Sequence, residues 1–461
     1  MNDLLCNLPN MNSLLEHPVL AGVCGERAKR AARETLDMLR VDILAGTLQK
    51  LPSLDNCAKL TLDRVSLNDE PNLRGVINAT GVVLHTNLGR APLGHDVFAS
   101  VIDACAGYSN LEYDLASGKR GSRYAHVEQL ICEIVGSEAA MVVNNNAAAM
   151  MLILASMAKG KKVAISRGEL VEIGGSFRVP EVIVQGGAEL VEIGSTNKTK
   201  LSDYVDAVEN KGAEVLLKVH TSNFEVVGFT EAVSVFELSE YGKSVDLPIV
   251  YDVGSCFLFD TEPYGFFAGE AASNGLRAGA DIVCFSGDKL VGSSQAGIIV
   301  GRADLIGQMK KHPLTRALRP DKLTLSVLEA AFRLYRFTDD AARKIPVLSM
   351  LFAKSSELEA RARIFADRLK DIAHNFTVDV IKVSDETGGG SLPNVSLPGW
   401  AVSVISSDMS VSKLESLLRA ASTPVIVRIQ DNAVLISPRT LLSGDEDRVL
   451  DIFAEICRLV T

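Results

Sequence analysis

Apolar positions recur every three to four residues through 26–48, where Ala28, Ala32, Leu36, Leu39 and Ile43 fall on one side of a helix. Leu14, Leu15 and Val19 precede it, so residues 1–75 read as helical, closing in the polar stretch 66–72 with Pro71 at the boundary. The texture then changes. Short β-branched runs at 139–143, 162–165, 189–193, 215–219, 247–251 and 281–285 alternate with helical patterns, each leaving into a polar or Gly-containing turn. Such alternation predicts crossover units and a mostly parallel sheet, with chemistry at the carboxyl ends of its strands. Residues 324–336 predict a linking helix. Strands at 376–383, 401–406, 425–429 and 433–436 then mix with helices at 355–373, 411–421 and 446–459, around a Gly388-Gly389-Gly390 loop. The expected organisation is a helical domain 1–75, a large α/β domain 76–340 and a small α/β domain 341–461, without internal repeats.

Composition narrows the class. The 461 residues carry 47 Lys+Arg against 57 Asp+Glu and are 47% hydrophobic, which excludes a disordered or fibrous chain. A net charge of −10 argues against capture of nucleic acid by the whole surface, so an RNA partner would need a local basic patch. One candidate is the helix face bearing Arg27, Lys29, Arg30 and Arg33, although such a run is more often a solvated face. The N-terminal segment MNDLLCNLPNMNSLLEHPVL has no basic start and is interrupted by Asn, Pro and Glu, unlike a secretory signal. The longest mostly apolar run, 147–157, falls short of the ~20 residues of a membrane span. A soluble, cytoplasmic protein is expected, with no membrane contact. The eight cysteines (Cys6, Cys24, Cys57, Cys105, Cys132, Cys256, Cys284 and Cys457) show no C-x-x-C pair or zinc spacing, which predicts reduced core thiols and no metal site.

Chemistry concentrates in ADIVCFSGDKLVGSSQAGIIVG, residues 280–301. A strand runs into the turn Ser286-Gly287-Asp288-Lys289, and a second strand follows at 296–300. A lysine at the mouth of a parallel sheet, with a hydroxyl three positions earlier, suits a pyridoxal phosphate enzyme: the amine holds the cofactor and Ser286 its phosphate. Alone, an S-x-x-K is more often a solvated loop. Two features change that balance. The apolar strand ending Ile249-Val250-Tyr251-Asp252 places a carboxylate on a neighbouring strand end, suited to the pyridinium nitrogen. In VVNNNAAA, residues 142–149, a strand leads to a helix whose N-terminus offers free N–H groups to a phosphate, with Asn145 and Asn146 as added donors or simple caps.

These segments, together with NLRGVINATGVVLHTNLGRAPLG (72–94), NLEYDLASGKRGSRYAHVE (110–128), SRGELVEIGGSFRVPEV (166–182), LLKVHTSNFEVVGFT (216–230), KKHPLTRALRPDKLTL (310–325), GGGSLP (388–393) and PRTLLSGDEDR (438–448), closely resemble the bacterial selenocysteine synthase, or L-seryl-tRNA(Sec) selenium transferase, family over essentially the whole chain. The resemblance implies a fold type I pyridoxal 5′-phosphate enzyme with a large mostly parallel sheet domain, a small C-terminal α/β domain and an N-terminal helical domain. It also implies a homo-oligomer, a decameric ring of five dimers. The reaction implied converts seryl-tRNA(Sec) to selenocysteinyl-tRNA(Sec) with selenophosphate through a dehydroalanyl intermediate. Lys289 would carry the cofactor, with Asp288 beside it as acid/base or merely the partner of an arginine. Arg90, Arg316 and Arg319 match the family's oxyanion-binding arginines, and Lys119, Arg120 and Arg123 are further candidates. His220, at a strand end, is either a ring contact for the cofactor or a core histidine. The Arg27, Lys29, Arg30 and Arg33 face becomes a candidate tRNA contact.

Three departures from the family pattern stand near the expected site: Val-Gly-Ser-Ser after Lys289, Cys256 in DVGSC where a glycine is common, and ISPRTL (436–441) where an aspartate normally precedes the Arg-Thr-Leu. Two other readings remain open at this stage. One is a related pyridoxal phosphate lyase acting on a free amino acid or a phosphorylated amino sugar acid, disfavoured by the N-terminal helices. The other is a catalytically silent RNA-binding relative, disfavoured by Lys289, Asp252 and Ser286 together.

Overall fold

A computed structural model describes residues 2–23, 25–69, 71–175 and 177–460. The chain forms two compact units, residues 1–75 and 76–461. In the first, the helices Gly25–Leu44 and Leu54–Asp69 bury Ala32, Leu36, Leu39, Cys57 and Ala58 against Leu14. The first of these helices ends at Leu44, short of the expected 48. Gly46 takes φ 71° and the Thr47 N–H turns back to the Asp42 carbonyl, which closes the helix.

The second unit is built on a seven-stranded sheet. Its strands are β1 (Ala139–Val143), β2 (Lys162–Ser166), β3 (Glu189–Ile193), β4 (Ala213–Val219), β5 (Ile249–Gly254), β6 (Ile282–Ser286) and β7 (Gly297–Gly301). The spatial order is β1-β7-β6-β5-β4-β2-β3. All neighbours pair in parallel except β7, which runs antiparallel to both β6 and β1. Every residue of β1, β5, β6 and β7 is buried. Helices cover both faces, which explains why these strands read as continuous apolar runs rather than alternating ones.

A smaller antiparallel sheet, β8 (Phe376–Asp385), β9 (Leu397–Ser406), β10 (Arg428–Gln430) and β11 (Ala433–Ile436), has the order β8-β9-β11-β10. The helices Ser355–Ile372 and Asp445–Val460 pack against it through Phe365, Leu369 and Phe453. The single strand expected at 425–429 is divided. Val425–Ile426 pairs in parallel with Ile77–Asn78, while Arg428–Gln430 turns at Asp431 and Asn432, both in the left-handed region, to pair with β11.

Asp385, at the end of β8, is fully buried and accepts Arg439 Nε at 2.9 Å and Ser437 Oγ at 3.2 Å. Arg439 also donates to the Met350 and Pro398 carbonyls, each at 2.7 Å. Glycine makes room for this pair: a Cβ at Gly81 or Gly399 would lie 2.1 or 2.3 Å from a carboxylate oxygen of Asp385.

The cysteines are less uniformly buried than expected. Cys57, Cys256 and Cys284 are buried, Cys105, Cys132 and Cys457 are half-buried, and Cys6 is exposed, all as free thiols. Cys24 lies outside the described residues. No group of metal-ligating side chains occurs among the described residues.

Candidate active site

Asp252 owes its position to an irregularity at the end of β5. The pairing of β5 with β6 shifts register between Asp252 and Gly254, and Gly254 takes φ 66°, a conformation that favours glycine. Asp252 is 1% exposed. Its Oδ1 accepts Asn146 Nδ2 at 2.7 Å and the Cys284 thiol at 3.5 Å. Its Oδ2 is buried without a protein partner. Burial pushes this carboxyl above the usual range, opposed by the Asn146 and Cys284 hydrogen bonds and by the charge of Lys289.

Lys289 sits in the connection between β6 and β7. Three backbone bonds fix that turn: Gly287 N–H to the Ala296 carbonyl, Gly292 N–H to the Lys289 carbonyl and Ser293 N–H to the Gly287 carbonyl. The lysine is 5% exposed. Burial and the nearby Arg90 guanidinium push its amine below the ordinary 10.5, while Asp252 and Asp288 act the other way. Arg90 Nη1 donates to Asp288 Oδ2 at 2.7 Å, and Arg90 holds φ 62°, a strained conformation for a residue with a Cβ. The two candidates from TNLGRAP and SGDK are thus one ion pair beside Lys289.

A pH experiment follows from these charges. The neutral amine reacts with acetic anhydride, so trace labelling of Lys289 in cofactor-free protein rises with pH to a midpoint below 10.5. Arg90→Ala removes the depressing cation and frees Asp288 to stabilise the ammonium, so the midpoint moves up. An unmoved midpoint would reject this coupling.

Asn145 caps the helix Asn146–Met157, its side chain accepting the Ala148 N–H at 2.8 Å. The cap packs directly on β7, since a Cβ at Gly297 would lie 2.1 Å from the Asn145 carbonyl oxygen. Asn146 commits an amide hydrogen to Asp252, so it orients that carboxylate in addition to opening the helix. Ser286 ends β6, buried. The His220 N–H donates to the Asp252 carbonyl at 2.8 Å, and its side chain is half-buried.

The Asn144 N–H donates to the Leu318 carbonyl, which brings the HPLTRALRP segment beside this cap. Arg319 lies 3.6 Å from Glu112, which also pairs with Arg120 at 3.2 Å and, more closely, with Arg123. Arg316 is exposed on the helix Leu314–Leu318 and has no ion-pair partner among the described residues. Glu112 was not legible as their counter-ion: it stands 207 residues before Arg319, and its only signal was an acidic position next to GKRGSR.

In the N-terminal unit, Arg27 pairs with Asp69, Lys29 with Glu26 at 2.9 Å, and Arg30 approaches Glu34 at 3.9 Å. Arg33 is exposed.

The arrangement around Lys289 fits pyridoxal 5′-phosphate. A buried amine of lowered basicity can hold the aldehyde carbon, the unpartnered Asp252 Oδ2 suits the protonated ring nitrogen, and the N-terminus of Asn146–Met157 with Ser286 suits a phosphate.

The L-seryl-tRNA selenium transferase family model matches residues 76–442. The L-seryl-tRNA(Sec) selenium transferase of Hyphomonas neptunium is 46% identical over 463 residues, covering 99% of each chain. That of Moorella thermoacetica is 45% identical over 97% of this chain and 96% of the relative. Among solved structures, a D-glucosaminate-6-phosphate ammonia-lyase aligns with 84% of this chain and 97% of its own at a TM-score of 0.55 and 19% identity, a likeness of fold.

Proposed function

Since this chain belongs to the L-seryl-tRNA selenium transferase family, a family of fold type I pyridoxal phosphate enzymes, we propose that it converts seryl-tRNA(Sec) to selenocysteinyl-tRNA(Sec) with selenophosphate as donor. The observation that carries this reading is the buried Lys289, within reach of the charges of Arg90, Asp288 and Asp252, with one Asp252 oxygen held and one unpartnered. The relatives match along the N-terminal helices as well, which favours a charged tRNA over a free amino acid.

When bound, the cofactor supplies an electron sink for negative charge at the substrate's α-carbon. The protein does the rest. Lys289 takes the α-proton through its Nζ, an amine that burial and Arg90 hold below its ordinary basicity. Asp252, fixed by Asn146 and Cys284, holds a proton at its Oδ2 side. The proton that Lys289 has taken passes to the departing seryl oxygen, which leaves as water, and Asp288, a carboxylate held by Arg90, relays it. Arg316 and Arg319, with Arg90, hold the selenophosphate oxyanion, while Ser286, Asn145 and the half-buried His220 line the cofactor.

Residues 1–75 serve as the tRNA-contacting domain, 76–340 as the cofactor domain and 341–461 as the small domain. No described helix is long and apolar enough to cross a membrane; a cytoplasmic location is part of the proposal. Exposed Val227 and Phe229 on one loop, with exposed Tyr108 and Leu115, supply apolar surface for a homo-oligomer, a ring of five dimers.

The test supplies holoenzyme with seryl-tRNA(Sec), free serine and selenophosphate in parallel. Selenocysteinyl-tRNA is the expected product. Conversion of free serine with no reaction on the charged tRNA would overturn the proposal. Binding of the tRNA itself falls with salt, but less steeply than four free cations would give, because three of Arg27, Lys29, Arg30 and Arg33 already face carboxylates. Arg33→Ala therefore lowers the slope of log K against log[salt] by about 1, more than Lys29→Ala. Equal slopes for all four alanine variants would contradict this ranking.

A further inference from the structure

The glycine loop of the small sheet borders the catalytic centre along a line of polar groups that the reaction scheme leaves unused. The Thr387 carbonyl accepts the Leu84 N–H at 2.7 Å. A Cβ at Gly388 would lie 2.5 Å from the Val82 side chain, one at Gly389 3.0 Å from Leu84, and one at Gly390 3.4 Å from Asn223 Cβ. Ser391 Oγ meets Ser255 Oγ at 2.7 Å. Thr387–Ser391 therefore pass in sequence by Leu84 and its neighbour His85, then Asn223, then Ser255, three residues beyond Asp252. The close approach explains the three successive glycines, all with φ between 63° and 73°.

Three buried polar atoms on this line have no protein partner: His85 Nδ1, Asn223 Oδ1 and Thr387 Oγ1. They come from three separate segments. The other end of the Asn223 amide is engaged, its Nδ2 donating to the Glu172 carbonyl at 3.0 Å, so Oδ1 is left as an acceptor. Thr387 is 2% exposed. A buried polar atom without a partner costs about 1–3 kcal/mol, so each of the three segments that meet at this loop carries a polar atom that a ligand's group could satisfy. No residue of this set is a Lys or Arg. A free amino acid would present its carboxylate here without a counter-ion, whereas an aminoacyl ester presents a neutral carbonyl acceptor and a ribose hydroxyl donor.

Resting on the seryl-tRNA reading, we propose that His85, Asn223 and Thr387 form a neutral subsite for the ester carbonyl and terminal ribose of the charged substrate, and so select an ester over a free amino acid. Asn223 Oδ1 accepts the ribose hydroxyl. Thr387 Oγ1, with His85 Nδ1 in its protonated tautomer, donates to the carbonyl.

The probe is the stable seryl amide of 3′-amino-3′-deoxyadenosine, titrated calorimetrically into holoenzyme beside L-serine. Wild type binds the amide at least tenfold more tightly than serine. Thr387→Val and Asn223→Leu each reduce that ratio about tenfold with serine affinity unchanged, and Thr387→Ser restores it. If both variants keep the wild-type ratio, the three atoms are served by water and the subsite is rejected. Turnover of seryl-tRNA(Sec) by the same wild-type preparation is scored separately: its absence would overturn the proposed reaction, while the binding ratios would still decide the subsite.

Discussion

Lys289→Ala loses turnover on seryl-tRNA(Sec) by on the order of 10³-fold or more, together with the visible absorbance of the lysine-held cofactor. The size of the loss follows from burial. At 5% exposure, inside a turn fixed by three backbone bonds, the position admits little solvent, and alanine leaves no amine there. Lys289→Arg does not rescue, because a guanidinium stays protonated and cannot take the α-proton. The loss is chemical rather than structural: Arg90–Asp288 and Asp252–Asn146 do not depend on the lysine, so far-ultraviolet dichroism and the urea midpoint stay near wild type. Retention of a tenth of wild-type turnover would remove Lys289 from its role.

The parts of this site that were legible in the sequence are those whose neighbours are close along the chain. Strand-end Asp252, turn Lys289 and the strand-to-helix step at 142–149 each carry a local signature: an apolar run, a turn and a capping residue. What the sequence did not disclose is pairing over distance. The sequence allows Asp288 an arginine partner without saying which: Arg90 stands 198 positions away, so nothing local picks it out. The Asn144-Asn145-Asn146 run marked a helix start, but which amide faces Asp252 depends on how β1 and β5 are placed across the sheet. The expected strand at 425–429 failed for a similar reason: its first two residues serve a partner near residue 77, outside the small sheet.

The largest expected effect on stability belongs to Asp385→Ala. It strands the Arg439 guanidinium, 2% exposed, with two carbonyls but no counter-charge, which costs about 3–5 kcal/mol. In ISPRTL, where an aspartate normally precedes the Arg-Thr-Leu, Ser437 only donates a hydroxyl to Asp385, so no second carboxylate compensates. The single tryptophan, Trp400, pairs with Lys382 on the neighbouring strand and reports this sheet directly. In urea its fluorescence transition moves to clearly lower denaturant in Asp385→Ala. Asp385→Ala/Arg439→Met recovers most of the loss, because the buried charge is then gone. An unchanged midpoint in the single variant would show that Arg439 does not need its partner.

The place of β7 in the sheet also sets a timetable for biosynthesis. β1 stands at the sheet edge with β7 as its sole neighbour, yet β7 leaves the ribosome about 160 residues later. At about 5–20 residues per second that is a wait of roughly 8–30 s, during which an entirely apolar strand has nothing to pair with. Gly297, the first residue of β7, is also what closes against the Asn145 carbonyl. The nascent chain therefore gains its cofactor cradle only after residue 301 has emerged, so cofactor capture is a late event on the ribosome, and the interval before it is when β1 is most exposed to aggregation and to chaperones.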